Sequence, residues 1–308
     1  MFVVVNKANA LVIDTVNHYK VLRKVISTTN KLINPLLDCY ELDRSNLKDM
    51  RRLNQSIESK INFYLNNNQA SSISLYYRDL KNGHWVGFRE NEKYSPASLL
   101  KLPILIAALK QSELDPDYLN SLITVGNVQT NIIQNIGSNN FSLENGRAYT
   151  IEQLLEYMIV YSDNQSKDLV LNNVSREILT SVFDDLGIDI FKYTENENSI
   201  SVREYASYYR ILYNATYLNK ELSNKALEIL SRSKFRFGIL AGLPLGITVA
   251  HKFGERGFEN SDHKQFHDTG IIYRTNRPYL LCVMVKGGDF HVMEDIVADL
   301  SKLIYHFK

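Results

Sequence analysis

The sequence predicts an α+β fold in which an antiparallel sheet is built from both chain ends and flanked by helices and a helical subdomain. Strand-like segments occur at 72–88 and again at 246–286, near opposite ends of the chain. The stretch between them, from about 98 to 232, is largely helical, and an amphipathic helix closes the chain. Strands from both ends with helices between them are typical of an α+β architecture.

The first segment is predicted to be an N-terminal helical extension over residues 1–43, followed by one main domain over 44–308. Apolar residues recur at helical spacing between 9 and 37, and Pro35 and the polar stretch 43–46 then break the pattern. A second helical pattern runs from Leu47 to Leu65. The chain of 308 residues thus suits one catalytic domain with an appended segment.

The strands of the main domain are indicated by alternation and by turn residues. Residues 72–77 alternate polar and apolar, as a half-buried strand does, and Asn82-Gly83 predicts a hairpin turn into a returning strand at 84–88. Asn- and Gly-rich residues interrupt the helical block near 135–146. Three further strands at 246–252, 269–273 and 279–286 precede a closing helix at 295–306 with one apolar face.

The composition excludes several classes of function. With 44% hydrophobic and 22% charged residues and a net charge of +1, the chain is typical of a soluble globular protein without a nucleic-acid partner. Cys39 and Cys282 lie far apart and form neither a disulfide framework nor a redox motif. No apolar run reaches the ~18 residues that span a bilayer. The apolar start, 1–5, is too short for a signal peptide, so either the protein is intracellular or the chain lacks a leader.

Ser98 and Lys101 form an SxxK motif, in which a lysine one helical turn away can reach a serine hydroxyl. A serine is a poor nucleophile at neutral pH unless a neighbouring base takes its proton, and a lysine of lowered pKa can be that base. The motif by itself is weak, because the chain contains four: Ser45-Lys48, Ser98-Lys101, Ser231-Lys234 and Ser261-Lys264.

The setting of Ser98 distinguishes it from the other three serines. It follows the turn 94–97 and opens an apolar helix over 99–109. An isolated buried charge is costly, so a lysine within this apolar helix indicates a functional role. The alternative is that Ser98 only caps the helix while Lys101 extends to solvent.

Two further motifs follow at informative positions. Ser162-Asp163-Asn164 forms an SDN triplet, and Lys252-Phe253-Gly254 forms a Lys-X-Gly triplet on a predicted strand. With SxxK, and in this order, they resemble the signature of class A β-lactamases and related penicillin-binding proteins. The segments 94–103, 146–151 and 267–273 are also similar to that family, and the resemblance covers about residues 45–308.

The resemblance implies a β-lactamase/transpeptidase-like fold and a role for each motif residue. Ser98 would form an acyl-enzyme with a β-lactam or a D-alanyl peptide, and Lys101 would accept its proton. Ser162 would pass a proton to the leaving nitrogen, with Lys252 close by. The resemblance further implies that Asn164 binds Lys101 and the substrate amide, that Lys252 attracts the substrate carboxylate, that Gly254 allows close backbone approach, and that the N–H groups of Ser98 and Glu255 form an oxyanion hole. Alternatively, Asp163-Asn164 is only a helix cap and Lys252 a solvated strand-end charge.

The chain departs from the family pattern in two places. The glutamate of an ExxLN motif, which in class A enzymes activates the deacylating water, is absent, and Glu195 and Glu197 are the only nearby candidates. A solvated acidic turn also accounts for both. Phe253 stands where the family usually has threonine or serine. The departures favour slow deacylation, and they leave open a catalytically weak penicillin-binding or cell-wall peptide-binding module, or an esterase.

Other constellations predict no additional ligand. His263 and His267 have H-x3-H spacing, but they lie in a polar segment leading into a strand, so a zinc site is not expected. The basic stretch at 232–236 is better explained as a solvated helix end. We expect no metal and no cofactor, a β-lactam or peptidoglycan peptide as the small-molecule partner, and, by family resemblance, an extracytoplasmic location.

Overall fold

The computed structural model describes residues 12–14, 18–20, 32, 47–126, 141–186, 199–257 and 263–307. Within these ranges the helices are α1 (Leu47–Asn66), α2 (Lys101–Leu114), α3 (Ile151–Val160), α4 (Asn164–Leu171), α5 (Arg176–Asp185), α6 (Val202–Tyr213), α7 (Lys220–Ser231) and α8 (Phe290–His306). The strands are β1 (Val12–Asp14), β2 (His18–Lys20), β3 (Ser72–Asp79), β4 (Trp85–Phe88), β5 (Leu122–Thr124), β6 (Ala148–Thr150), β7 (Val249–Gly257), β8 (Lys264–Ile272) and β9 (Tyr279–Gly287).

The main sheet is antiparallel and has the strand order β4-β3-β9-β8-β7. Strand β3 from the first part of the chain pairs along its length with β9 from the last part, from Ser72 opposite Lys286 to Asp79 opposite Tyr279. The predicted α+β class, with a sheet made from both chain ends, is confirmed. The hairpin turn between β3 and β4 is present, with Gly83 in a left-handed conformation at φ 78°.

Helices cover both faces of this sheet and form two separate cores. On one face, α2, α3, α6 and α7 contribute to a core that includes Leu105, Leu154 and Tyr209. On the other face, α1 and α8 pack against the sheet through residues such as Ile61 and Val297. We call the face covered by α2, α3, α6 and α7 the helical face, and the face covered by α1 and α8 the outer face. None of the helices in the described part of the chain is long and apolar enough to cross a membrane.

The prediction of a helical N-terminal extension is wrong for the residues that can be compared. Val12–Asp14 and His18–Lys20 are strands that pair with each other, Val12 opposite Lys20. The β-branched residues of this segment, among them Val12 and Ile13, favour extended backbone and outweigh the helical spacing. Apart from Leu32, the rest of 1–43 lies outside the described residues, and the domain boundary stays a prediction.

The prediction that β3 is half-buried is also wrong, because its residues are buried on both faces of the sheet. The polar members of the alternation are satisfied inside the protein. Ser72 Oγ donates to Glu92 Oε1 at 2.7 Å, and Ser74 Oγ donates to the Arg89 carbonyl at 2.7 Å. Since a hydrogen-bonded serine can be buried at little cost, polar alternation did not mark a solvent-exposed face here.

Two element boundaries differ from the sequence prediction in ways that affect the site. Strand β7 begins at Val249 and continues to Gly257, so Lys252 lies inside the strand and not at its end. Helix α8 begins at Phe290, one turn earlier than expected, because Asp289 accepts a hydrogen bond from the Val292 amide as N-cap.

Candidate active site

Ser98 lies in a 3₁₀ turn, Ala97–Leu100, that leads directly into α2. Ala97 before it has a left-handed backbone with φ 47°, an unfavourable conformation for a residue with a side chain. Because residues three apart eclipse each other in a 3₁₀ turn, Lys101 lies over Ser98, and its Nζ is 3.0 Å from Ser98 Oγ. The structure therefore brings the SxxK pair together.

Lys101 is buried, with 1% of its surface exposed, so the alternative that it extends to solvent is wrong. Burial holds the pKa of Lys101 well below its ordinary value, and the cations Lys252 and Lys167 lower it further, while Asp163 and Asp168 oppose the shift. An amine in these surroundings is neutral over a wider pH range than an ordinary lysine and is available as a base.

The contacts of Lys101 orient its amine for proton transfer. The Ser162 carbonyl oxygen at 2.6 Å and Asn164 Oδ1 at 2.7 Å only accept hydrogen bonds. They take the two N–H bonds of a neutral amine, which leaves its lone pair for a hydroxyl. Two hydroxyls lie in range, Ser98 Oγ and Ser162 Oγ, each 3.0 Å from Nζ. The amine is thus arranged to accept a proton from a serine.

The SDN triplet combines a structural and a site role. Asp163 is the N-cap of α4, and its carboxylate accepts the Ser166 amide at 2.6 Å. Asn164 begins the helix and directs its side chain to Lys101. Ser162 before the cap is buried and has a left-handed backbone with φ 56°. The cap interpretation holds for Asp163, whereas Ser162 and Asn164 point into the cluster.

Lys252 is fully buried inside β7, so the alternative of a solvated strand-end charge is wrong. Its Nζ donates to Ser162 Oγ at 3.0 Å and to the Phe253 carbonyl at 2.8 Å. Burial lowers the pKa of Lys252 to about 7, although the carboxylates of Asp268 and Glu255 act in the opposite direction. Lys252 therefore exchanges its proton near neutral pH.

These contacts form a continuous polar chain: Ser98 Oγ, Lys101 Nζ, Ser162 Oγ and Lys252 Nζ follow one another at 3.0 Å per step. This polar chain of side-chain atoms joins three parts of the fold, namely the 3₁₀ turn before α2, the loop before α4, and strand β7. Each step lies within hydrogen-bond distance, so a proton can pass between the Ser98 hydroxyl and a second hydroxyl, that of Ser162.

Gly254 allows the sheet to approach the 3₁₀ turn that carries Ser98. A side chain at this position would lie about 3.2 Å from the Leu99 amide nitrogen and 3.3 Å from the Pro96 carbonyl oxygen. A methyl group there is tighter than ordinary packing, so glycine is needed for the close approach. Glu255 follows Gly254 directly on the same strand.

Phe253 lies in the core of the outer face and is 3% exposed. Its ring stacks on Phe235 with ring centroids 3.9 Å apart. The Lys252 ammonium nitrogen also lies 4.2 Å from the ring centroid. The aromatic ring therefore contributes to the apolar surroundings of Lys252 and packs into the core away from solvent.

The sequence prediction missed the polar residues that support the site from within the sheet. His251 Nδ1 and Asp268 Oδ1 are 2.9 Å apart, both fully buried, and Asp268 Oδ2 accepts the Ile239 amide at 3.0 Å. His267 points to the other face of β8 and contacts Ser95. The sequence did show polar residues inside apolar strands, which indicates buried polar contacts. The spacing of residues along the sequence does not reveal which residues they contact.

His267 and Asp268 therefore point to opposite faces of β8, and H-x3-H spacing does not place a helical pair here. No group of three or more His, Cys, Asp or Glu side chains that could hold a metal occurs in the described part of the chain. Glu195 and Glu197, the candidates for water activation, lie outside the described residues. Ser231, from another SxxK motif, donates to the Glu228 carbonyl at 2.8 Å in the last turn of α7.

Known proteins are similar to this chain over most of its length. The model of the beta-lactamase enzyme family matches residues 56–307. Beta-lactamase VEB-1 from Pseudomonas aeruginosa is 24% identical over 236 residues, which cover 68% of this chain and 76% of that protein.

Solved structures share the fold at low sequence identity. TLA-3 extended-spectrum beta-lactamase is 20% identical with a TM-score of 0.72, covering 84% of this chain and 100% of that one. A mutant of PBP-A, solved as its acyl-enzyme complex with penicillin G, is 21% identical with a TM-score of 0.69, covering 83% and 96%. These similarities show a β-lactamase/transpeptidase-like fold.

Proposed function

The chain belongs to the beta-lactamase enzyme family and is a β-lactamase-like serine hydrolase, and on that premise we propose that Ser98 forms an acyl-enzyme with β-lactams. The observation that carries this proposal is the polar chain from Ser98 through Lys101 and Ser162 to Lys252. A mutant of PBP-A, which shares the fold, has been solved as an acyl-enzyme complex with penicillin G.

We propose the following role for each member of the polar chain in acylation. Ser98 Oγ attacks the lactam carbonyl carbon while its proton passes to the neutral amine of Lys101. The C–N bond of the lactam then breaks, and Ser162 donates its hydroxyl proton to the leaving nitrogen. A proton from Lys101 or Lys252, each 3.0 Å from Ser162 Oγ, restores the hydroxyl. The product is an ester on Ser98, and the backbone N–H groups of Ser98 and Glu255 stabilise the oxyanion.

The remaining substrate contacts follow from charge. Lys252 attracts the carboxylate of the substrate, and Asn164 hydrogen-bonds both Lys101 and the substrate amide. Gly254 keeps the strand close enough for its neighbour Glu255 to contribute an N–H group. A D-alanyl peptide of peptidoglycan offers the same carboxylate and carbonyl, so we include it in the substrate class and place the reaction outside the cytoplasmic membrane.

Deacylation is proposed to be slow. The sequence contains no ExxLN glutamate after the SDN triplet. Among the described residues, the hydrogen-bond partners of Lys101 are two hydroxyls, a carbonyl and an amide oxygen, and none is a carboxylate. Without a carboxylate base, water reacts slowly with the ester.

A catalytically weak module that binds cell-wall peptide is the second candidate. The missing glutamate and Phe253 favour it. The lowered pKa of Lys101 argues for chemistry, because a module that only binds has no need of a neutral lysine. A D-alanyl peptide that binds equally well to wild type and Lys101→Ala, with no turnover in either, would favour the binding module.

Labelled penicillin and intact-mass measurement test the acyl-enzyme. We expect a covalent adduct on the wild type and none on Ser98→Ala. Ser231→Ala is the matched control, because it removes the serine of another SxxK motif and is expected to leave labelling unchanged. An unlabelled wild type after long exposure, or an adduct that persists in Ser98→Ala, contradicts the proposal.

The lifetime of the adduct tests the deacylation step. After removal of excess penicillin we expect the adduct mass to persist far longer than acylation takes. Glu195→Gln and Glu197→Gln are expected to leave that lifetime unchanged. Rapid return of the free enzyme mass would show that a hydrolytic base is present, and a longer lifetime in either glutamine variant would identify it.

A further inference from the structure

Ser95, three residues before the nucleophile, is held at both of its backbone polar groups by side chains from β8. Its amide donates to Gln265 Oε1 at 2.9 Å, and its carbonyl accepts from His267 Nε2 at 2.9 Å. Gln265 and His267 are two residues apart and therefore point to the same face of the strand. Both are buried, as is Ser95. We call Gln265 and His267 the Ser95 clamp.

The chemistry of the clamp fixes the state of its histidine. The Ser95 carbonyl can only accept, so His267 Nε2 carries the proton. Burial lowers the pKa of His267 to about 4, and the ring is therefore neutral at neutral pH. The His267 and Tyr94 rings also make a T-shaped contact with their centroids 5.5 Å apart. The clamp is thus neutral, buried and held in one orientation.

The clamp lies next to the oxyanion-binding elements in the sheet. His267 is paired with Gly254, and the neighbouring Phe266 with Glu255, across β7 and β8. The Ser98 turn therefore rests on Gly254, while Ser95, two residues before the turn begins, is tied to the adjacent strand. On the helical side, Tyr205 donates its hydroxyl to the Leu99 carbonyl at 3.0 Å. The turn is held from both sides.

We propose that Gln265 and His267 are positioning residues for acylation, which set the separation between the Ser98 turn and strand β7 through their hydrogen bonds to Ser95. This inference rests on the proposed function, since the N–H groups of Ser98 and Glu255 belong to the two elements that the clamp joins. An oxyanion hole works only when both donors are at hydrogen-bond distance from one oxygen. A shift of ~1 Å at such a site lowers the rate by about 10²-fold.

The test compares variants that remove or keep the hydrogen bonds. His267→Met and Gln265→Met remove a donor and an acceptor at similar volume, whereas His267→Gln keeps an N–H donor at a similar reach. The acylation rate constant at saturating labelled penicillin and the half-saturating concentration are measured on wild type and variants, with the thermal midpoint recorded for each.

We expect both methionine variants to acylate about 10- to 100-fold more slowly at saturation with a similar half-saturating concentration. His267→Gln is expected to recover most of the rate. Ser223→Ala is the control for stability loss. Ser223 lies on α7, and its buried hydroxyl donates a hydrogen bond to the Leu218 backbone carbonyl, which the substitution removes. It is expected to lower the thermal midpoint without slowing acylation.

The outcomes separate this inference from the proposed function. If the wild type is labelled on Ser98, and both Gln265→Met and His267→Met are labelled at the wild-type rate, only the positioning role is overturned. An unlabelled wild type overturns both. If His267→Met does not fold, the remaining two variants test the positioning role. A wild-type acylation rate in Gln265→Met contradicts it. A folded His267→Gln that acylates as slowly as Gln265→Met also contradicts it.

Discussion

The two faces of the five-stranded sheet bury ionisable groups in different ways. On the outer face, the carboxylate of Asp268 is paired with His251 and with the Ile239 amide. On the helical face, Lys101 and Lys252 are buried among neutral hydrogen-bond acceptors and have lowered pKa values. The hydrogen bonds of Asp268 tie β8 to His251 of β7 and to the Ile239 backbone, whereas a buried lysine without a carboxylate among its hydrogen-bond partners loses its proton more readily than an ordinary lysine. We therefore expect substitutions of Asp268 to act on stability, and substitutions of the two lysines to act on proton transfer at the site.

The largest effect is expected from Lys101→Met, which removes the proposed base on the helical face. Acylation is expected to slow by about 10³-fold, because a positioned base contributes 10²- to 10⁴-fold. The acylation rate constant with labelled penicillin measures this. Lys110→Met, a partly exposed lysine on the same helix paired with Glu113, is the control and should acylate normally. A Lys101→Met rate within tenfold of wild type would falsify the assignment of the base.

Asp268→Ala tests the outer face, where stability and not rate should change. It leaves His251 and the Ile239 amide without their acceptor, and a buried polar group left without a hydrogen-bond partner costs about 1–3 kcal/mol. Denaturant unfolding measures the change, and the folded fraction should still acylate. His251→Ala and the double variant complete a cycle. Strictly additive stability losses, or a rate loss with stability unchanged, would contradict the division between the faces.

The pH dependence of stability tests Lys252. Its pKa is lowered to about 7 in the folded protein, against 10.5 for an ordinary lysine. Between these values the unfolded chain binds more protons, so this contribution to stability is complete above the unfolded pKa and is lost as pH falls to about 7. Between about pH 7 and 9 the wild type should gain about 2 kcal/mol relative to Lys252→Met. Equal pH dependence of the two unfolding free energies would exclude a lowered pKa.

The smallest effect is expected from Lys167→Met, which acts on the helical face through charge alone. Lys167 is partly exposed, pairs with Asp168, and lowers the pKa of Lys101. Its removal should move the acid limb of the acylation pH profile to higher pH by less than about one unit, since solvent screens the interaction. Lys110→Met again serves as the control. A shift of the acid limb to lower pH would show that the charge of Lys167 does not lower the pKa of Lys101.

Sequence patterns predicted the sheet and the main helices, since alternation and helical spacing are local properties. They also selected Ser98 from four SxxK serines, because the order of the three motifs places it with Ser162 and Lys252. Local spacing failed for Val12–Asp14, where β-branched residues outweighed the helical pattern.

The Ser95 clamp could not be predicted in this way. Its members lie 170 and 172 residues from Ser95 and meet only through the register of the sheet. Phe253 was similarly ambiguous, because spacing alone does not tell that its ring packs on Phe235 in the core of the outer face. Contacts between distant segments need the folded chain.

The left-handed backbone of Ser162 has a consequence for how this chain can evolve. Glycine adopts a φ of 56° without strain, so Ser162→Gly would relieve about 1 kcal/mol while removing the hydroxyl from the polar chain. The substitution that relaxes the backbone at this position therefore also interrupts the polar chain. If the Ser162 hydroxyl takes part in the proposed reaction, a descendant that no longer needs that reaction is expected to acquire glycine here.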